Sequence, residues 1–174
     1  MARTAKIPRR RERPIMKPIA QLISLLSAQH LTLSTAESCT GGQLAARITS
    51  VPGASTCYLG SVIAYANQLK MHALDVPRET IETHGAVSCQ VARAMAVGGR
   101  SRMQTNLCVS ITGIAGPSGG TPQKPVGLVF IGVAGDARTL AEECNFHGDR
   151  EDIQRQAVDR AIELLLDFVD PRDT

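Results

Sequence analysis

Two short polar, glycine-rich segments hold most of the residue types able to do chemistry: Glu37-Ser38-Cys39-Thr40-Gly41-Gly42 and Thr112-Gly113-Ile114-Ala115-Gly116-Pro117-Ser118-Gly119-Gly120. Each follows a run of β-favouring residues, 31–35 and 107–112, and the first leads into a short amphipathic stretch (Leu44, Ala45, Ile48) stopped by Val51-Pro52-Gly53. A serine on a sharp turn between a strand and a helix is exposed and lies near free backbone N–H groups, so Ser38 is a candidate nucleophile with oxyanion donors at hand. The plainer role for an isolated serine there is a helix N-cap. Glycines let the backbone approach a ligand closely, and N–H groups at the helix start after Gly41 can hold an anion.

A serine nucleophile needs a base. His30, His72, His84 and His147 are available, but none ends a strand with an evident acidic partner, and no histidine triad is legible. Lys70 follows Tyr65-Ala66-Asn67 at the end of a second strand, where it can reach the same edge as Ser38. Partial burial lowers a lysine's pKa and leaves a neutral fraction able to take the serine proton. Spacing alone would leave Lys70 a solvated surface lysine. Cys39 is a rival nucleophile, because a thiolate at a helix N-terminus has a depressed pKa. Side chains of adjacent residues do not readily point at one atom, so one of the pair must be structural. Arg150, in Gly148-Asp149-Arg150, is a candidate phosphate clamp or a surface arginine. No metal site is expected: H-x-x-x-H is absent, and Asp149, Glu151 and Asp152 read as the acidic first turn of a helix.

The elements that must position these residues alternate along the chain. Helical spacing of apolar residues predicts helices over 17–29, 44–51, 67–74, 89–103 and 150–168, with a break at Pro77. Strands are expected over 31–35, 57–65, 107–112, 127–134 and 140–146, the last two forming an antiparallel hairpin around Gly135-Asp136. This order predicts an α/β fold, a three-layer α/β/α sandwich with a mixed sheet. Both glycine-rich loops would then sit at the carboxyl ends of strands, the edge where ligands bind in open α/β sheets.

Bulk properties narrow the function classes. The 174 residues suit one domain, placed at 17–170, and with 3% aromatics and no tryptophan there is no platform for stacking nucleic-acid bases. Residues 1–18 hold seven basic residues and one acidic one, a net of +6 against +3 for the whole chain, which leaves the body at −3. The tail over 1–16, interrupted by Pro8 and Pro14, is expected to be disordered. A weak nucleic-acid contact of that tail is the one exception to a protein otherwise expected not to bind nucleic acid. No run of 18 apolar residues and no signal-peptide core is present, so a cytoplasmic protein without membrane association is expected. Five scattered cysteines without C-x-x-C pairing fit reduced thiols.

Taken in order, Thr35-Ala36-Glu37-Ser38-Cys39-Thr40-Gly41-Gly42, Tyr65-Ala66-Asn67 with Lys70, His84-Gly85-Ala86-Val87-Ser88, Thr112-Gly113-Ile114-Ala115-Gly116-Pro117 with Gly119-Gly120, Lys124-Pro125-Val126-Gly127 and Gly148-Asp149-Arg150 strongly resemble the CinA C-terminal domain family over roughly residues 18–168. The resemblance implies an α/β/α fold and, in the family's active members, deamidation of nicotinamide mononucleotide to nicotinic acid mononucleotide and ammonia, a step of pyridine nucleotide salvage. Carried over by position, it implies Ser38 as nucleophile, Lys70 as general base and Tyr65 as an assisting hydroxyl. Glu37, Thr40, Gly41, Gly42, Asn67, Thr112, Gly113 and Arg150 are expected to contact the substrate, Arg150 at its phosphate. A small-molecule nucleotide is the implied partner, no cofactor is needed, and a homo-oligomer is expected. Many family members carry an additional N-terminal domain, where this chain has the short basic tail. The rival from another class is a non-catalytic nucleotide-binding or interaction protein associated with competence or DNA damage.

Overall fold

The computed structural model describes residues 16–170; the basic tail expected to be disordered falls on residues 1–15, outside the described residues, and on residue 16, which opens the first helix. The elements run α1 (Met16–Ala28), β1 (Leu33–Glu37), α2 (Gln43–Thr49), a 3₁₀ turn (Ala54–Thr56), β2 (Tyr58–Ile63), α3 (Asn67–Leu74), α4 (Arg78–His84), α5 (Cys89–Met103), β3 (Leu107–Gly113), β4 (Leu128–Ala134), β5 (Thr139–Asn145) and α6 (Arg150–Val169). The five strands form one mixed sheet in the order β2-β1-β3-β4-β5. β1 is parallel to both β2 and β3, while β4 and β5 add antiparallel strands on the far side of β3.

The period-two alternation of the strands divides the core between the two faces of the sheet. Leu33, Val109, Ile111, Val129, Ile131 and Val133 join Ile19, Leu22, Leu26, Leu44, Ile48, Ile153, Ala157, Ala161 and Leu165 in one cluster, so α1, α2 and α6 cover that face. On the other face Ala36 and Cys108 pack with Leu74, Val91 and Met95 of α3 and α5. Leu128 and Phe130 pack there with Ala92 of α5. Helices thus lie on both sides of the sheet, and the expected α/β/α sandwich is the architecture found. Among the described residues no helix is long and apolar enough to cross a membrane.

Two local expectations need correction. The first strand lies at 33–37 rather than 31–35, because Ser34, Thr35 and Glu37 are fully buried and Glu37 pairs with Ile63 and Ile111 as a strand residue. Past Pro77 the chain forms α4 instead of a plain connection; no residue of this helix is buried, so it leaves no apolar stripe in the sequence.

The topology fixes where chemistry can occur. From central β1 the chain moves out to β2 on one side, then crosses back through α3–α5 to β3 on the other. The carboxyl ends of three parallel strands, followed by Ser38, Ala64 and Ile114, therefore converge on one crevice at the point where the strand order reverses.

Candidate active site

Ser38 is the first residue after β1, and its N–H still donates to Ile111 O at 2.9 Å, so the neighbouring strand fixes its backbone. The chain then turns sharply into α2 through Gly41 (φ +60°) and Gly42 (φ +99°), left-handed conformations that residues with a Cβ adopt with strain. Beneath this turn the fully buried Glu37 carboxylate accepts hydrogen bonds from Thr40 Oγ1 (2.7 Å) and from the N–H groups of Gly42 (3.0 Å), Leu44 (3.1 Å) and Ala45 (2.9 Å). Gln154 of α6 donates to Cys39 O at 2.7 Å and accepts from Gln43 Nε2 at 2.7 Å, tying the turn to the last helix.

Lys70 lies on α3, one turn after its start, and is only 2% exposed. Its Nζ donates to Ser38 Oγ at 3.0 Å, to Ala64 O at 3.1 Å and to Tyr65 O at 3.2 Å. The ammonium form therefore has an acceptor for each of its three protons. The neutral amine keeps two donors for the two carbonyls and turns its lone pair to the serine hydroxyl. Burial holds the Lys70 pKa below 10.5, with a smaller opposing pull from Cys39. Burial also pushes the neighbouring Cys39 thiol up to about 12. That thiol stays protonated near neutrality and belongs to the core cluster under the loop, and Lys70 Nζ contacts Ser38 Oγ rather than the Cys39 thiol.

A cavity of about 260 Å³ opens above this pair. Ser38, Cys39, Lys70, Tyr65, Asn67, Thr112, Gly113 and Arg150 line it, with Ala86 and Val87 on one wall and Ile114 to Gly116, Ser118 and Gly119 on the other. Of the residues expected at the substrate, Glu37, Thr40, Gly41 and Gly42 are not among its lining residues. Glu37 and Thr40 instead face each other under the turn, because the first N–H groups of α2 need an acceptor and the buried carboxylate supplies it. Thr112 Oγ1 donates to Ala86 O at 2.8 Å, joining the base of one wall to the other.

Arg150 Nη1 donates to Gly116 O at 2.7 Å and Nη2 to Tyr65 Oη at 3.0 Å. Tyr65 thus meets the lysine through its backbone carbonyl and the arginine through its hydroxyl, and its side chain spans the distance between the two cations. The Tyr65 hydroxyl is bonded to Arg150 here, not to Ser38 or Lys70. Gln154, which supports the turn, leaves one signal in the sequence, a glutamine on the otherwise apolar face of α6 beside Ile153 and Ala157. Among the described residues no cluster of three His, Cys, Asp or Glu side chains is placed to hold a metal ion.

The model of the CinA C-terminal domain matches residues 16–169. The chain is 48% identical over 144 residues to a CinA-like protein of Dictyoglomus thermophilum, covering 83% of this chain and 35% of that protein. It is 50% identical over 127 residues to a putative competence-damage inducible protein of Halothermothrix orenii, covering 72% of this chain and 31% of that one. The chain thus spans about a third of the length of these curated relatives. Among solved structures, the competence/damage inducible protein CihA of Agrobacterium tumefaciens superposes with a TM-score of 0.86 at 36% identity, over 94% of this chain and 98% of that one. A competence or damage-inducible protein of Enterobacter asburiae gives 0.87 at 30% identity, over 91% and 100%. With the family model spanning nearly the whole described chain and relatives near half identity, this protein belongs to the CinA C-terminal domain family.

Proposed function

We propose that the chain is a nicotinamide-nucleotide amidohydrolase that hydrolyses the carboxamide of nicotinamide mononucleotide with Ser38 as nucleophile and Lys70 as general base. The observation that carries this reading is the 3.0 Å contact of the buried Lys70 Nζ with Ser38 Oγ at the floor of the cavity. Desolvation lowers the lysine's pKa toward the neutral amine, and a hydroxyl within reach of that amine is an activated nucleophile.

In this mechanism neutral Lys70 takes the Ser38 proton as Oγ attacks the carboxamide carbon. Ile114 N–H donates to Leu128 O on the β4 side, and successive N–H groups of a strand point to opposite sides. Gly113 N–H therefore points toward the β1 side, just past the end of that strand where Ser38 stands, and serves as an oxyanion donor. Lys70 returns the proton to the leaving nitrogen, ammonia departs, and an ester to Ser38 remains. Lys70 then takes a proton from water as the resulting hydroxide attacks the ester carbonyl, and returns that proton to Oγ as the C–Oγ bond breaks; the acid released gives up its proton to solvent as the carboxylate product. Arg150, with two of its five N–H donors spent on Gly116 O and Tyr65 Oη, has donors left for the phosphate at the other end of Tyr65.

The test is ammonia release from nicotinamide mononucleotide by the wild type, Ser38→Ala and Lys70→Met. Release by the wild type and its loss by at least about a thousandfold in both variants is the expected result. No release by the wild type leaves a non-catalytic nucleotide-binding protein.

A further inference from the structure

The two walls of the cavity come from segments far apart in the chain, residues 84–88 between α4 and α5 and the loop from Gly113 to Gly127 between β3 and β4. The loop is closed at its base, where Ile114 N–H donates to Leu128 O at 2.9 Å and Gly127 N–H to Ile114 O at 2.8 Å. Beyond that base residues 117–123 are exposed, so little packing holds the loop at a fixed distance from the opposite wall.

We propose that Lys124 is the positioning residue that sets the width of the substrate cavity. Its Nζ crosses from the loop to the other wall and donates to His84 O and Val87 O, both at 2.7 Å. A short turn holds the backbone beneath it: Lys124 N–H donates to Thr121 Oγ1 at 3.0 Å, and Thr121 N–H to Lys124 O at 2.8 Å. The receiving wall is built to admit the ammonium. Gly85 stands between the two accepting carbonyls at φ +76°, and a Cβ there would lie 2.7 Å from Nζ, so the absent side chain is what leaves room for the lysine. Val87, whose carbonyl is held, and Ala86, held by Thr112, both line the cavity. On the loop side Gly116 is held by Arg150. Lys124 therefore ties the loop directly to the facing wall, and Thr112 ties Ala86 of that wall to the end of β3. It does not line the cavity and touches neither Ser38 nor Lys70, so its removal should widen the binding space without disturbing the dyad.

This role rests on the deamidase reading only for its kinetic consequence, and the test separates the two. Lys124→Met keeps the aliphatic stem and removes the charge-assisted hydrogen bonds; Lys124→Arg restores a cation that can reach both carbonyls. For Lys124→Met we expect KM for nicotinamide mononucleotide to rise about tenfold with kcat within about twofold. In the free protein, amide exchange should quicken at least about tenfold in 114–120 and 85–88 with the rest of the sheet unchanged. Lys124→Arg should return both readouts to within about threefold of the wild type. Unchanged exchange in both segments, or a loss carried by kcat with KM unmoved, overturns the proposal. If the wild type releases no ammonia, the deamidase reading fails alone, and the exchange measurement on the free protein decides the role of Lys124.

Discussion

Gly98 of α5 lies against the Leu74 carbonyl at the end of α3 so closely that a Cβ at position 98 would stand 1.6 Å from that oxygen. The contact sets how near α3 can approach α5, and α3 carries Lys70 one turn before Leu74. Four residues further along α5, Arg102 reaches back to Asp75 at 2.5 Å, just past the same helix end. Gly98→Ala gains about 1 kcal/mol of helix propensity but forces backbone against backbone, a strain of about 3 kcal/mol that no rotamer relieves. We expect a net loss of roughly 2 kcal/mol in urea unfolding, together with a fall in kcat as Lys70 is drawn off Ser38. A variant as stable and as active as the wild type would show that α3 moves without cost.

The Glu37 carboxylate answers four donors, and none of the residues it touches is a cation. Its charge is balanced by hydrogen bonds and by the start of α2. Glu37→Gln keeps the shape but turns an amide NH₂ toward one or more N–H groups. It should cost about 3 kcal/mol, read as a lower urea midpoint at unchanged slope. A cost under about 0.5 kcal/mol would mean the turn is held by its glycines and Gln154 without the acid.

These two residues mark what was and was not legible in the sequence. The bounds of α3, α5 and the β4–β5 hairpin follow from apolar periodicity and turn residues, and the sheet lies close to where that pattern puts it. β1 does not, because a central strand that buries Ser34, Thr35 and Glu37 looks polar to any hydropathy reading. The same burial turned Glu37 from an expected substrate contact into the support of the turn: which acceptor the N–H groups of α2 use depends on three-dimensional placement. By composition Lys70 reads as a solvated surface lysine; its place after the second strand puts it at the same sheet edge as Ser38, and the resemblance names it as the base. The two residues are 32 positions apart, one just past β1 and the other in α3, and nothing local encodes their meeting. Lys124 is harder still, since its partners are backbone carbonyls, which have no residue type.

Lys70 also gives stability and activity a shared pH dependence. Its native pKa is lowered by burial, while the unfolded lysine keeps a value near 10.5. Below the native value both states are charged and the burial penalty is present in full. As pH rises through it, the native lysine sheds its proton and the unfolded one does not, so the unfolded chain binds more protons and stability increases up to about pH 10.5. The difference in unfolding free energy between the wild type and Lys70→Met should therefore shift in favour of the wild type across that window. kcat/KM should rise on the same limb, because in the proposed mechanism the neutral amine is the base. A difference that is flat from pH 6 to 10 would place the titration elsewhere.

Tyr65 separates two roles that one side chain could play. Lys70 is held by the Tyr65 carbonyl, which any residue at this position supplies, whereas the hydroxyl accepts from Arg150 Nη2. Tyr65→Phe therefore keeps the lysine in place and frees one guanidinium donor in the half of the cavity assigned to the phosphate. We expect KM for nicotinamide mononucleotide to rise several-fold and kcat to stay within about threefold of the wild type. The nucleoside lacking the phosphate should show little difference between the two proteins, since the altered contact is at the Arg150 end. A kcat loss of a hundredfold or more, equal for nucleotide and nucleoside, would instead put the hydroxyl in the proton path between Ser38, Lys70 and the leaving nitrogen. That outcome requires the ring to leave Arg150 when substrate binds, because in the present geometry the hydroxyl is bonded there.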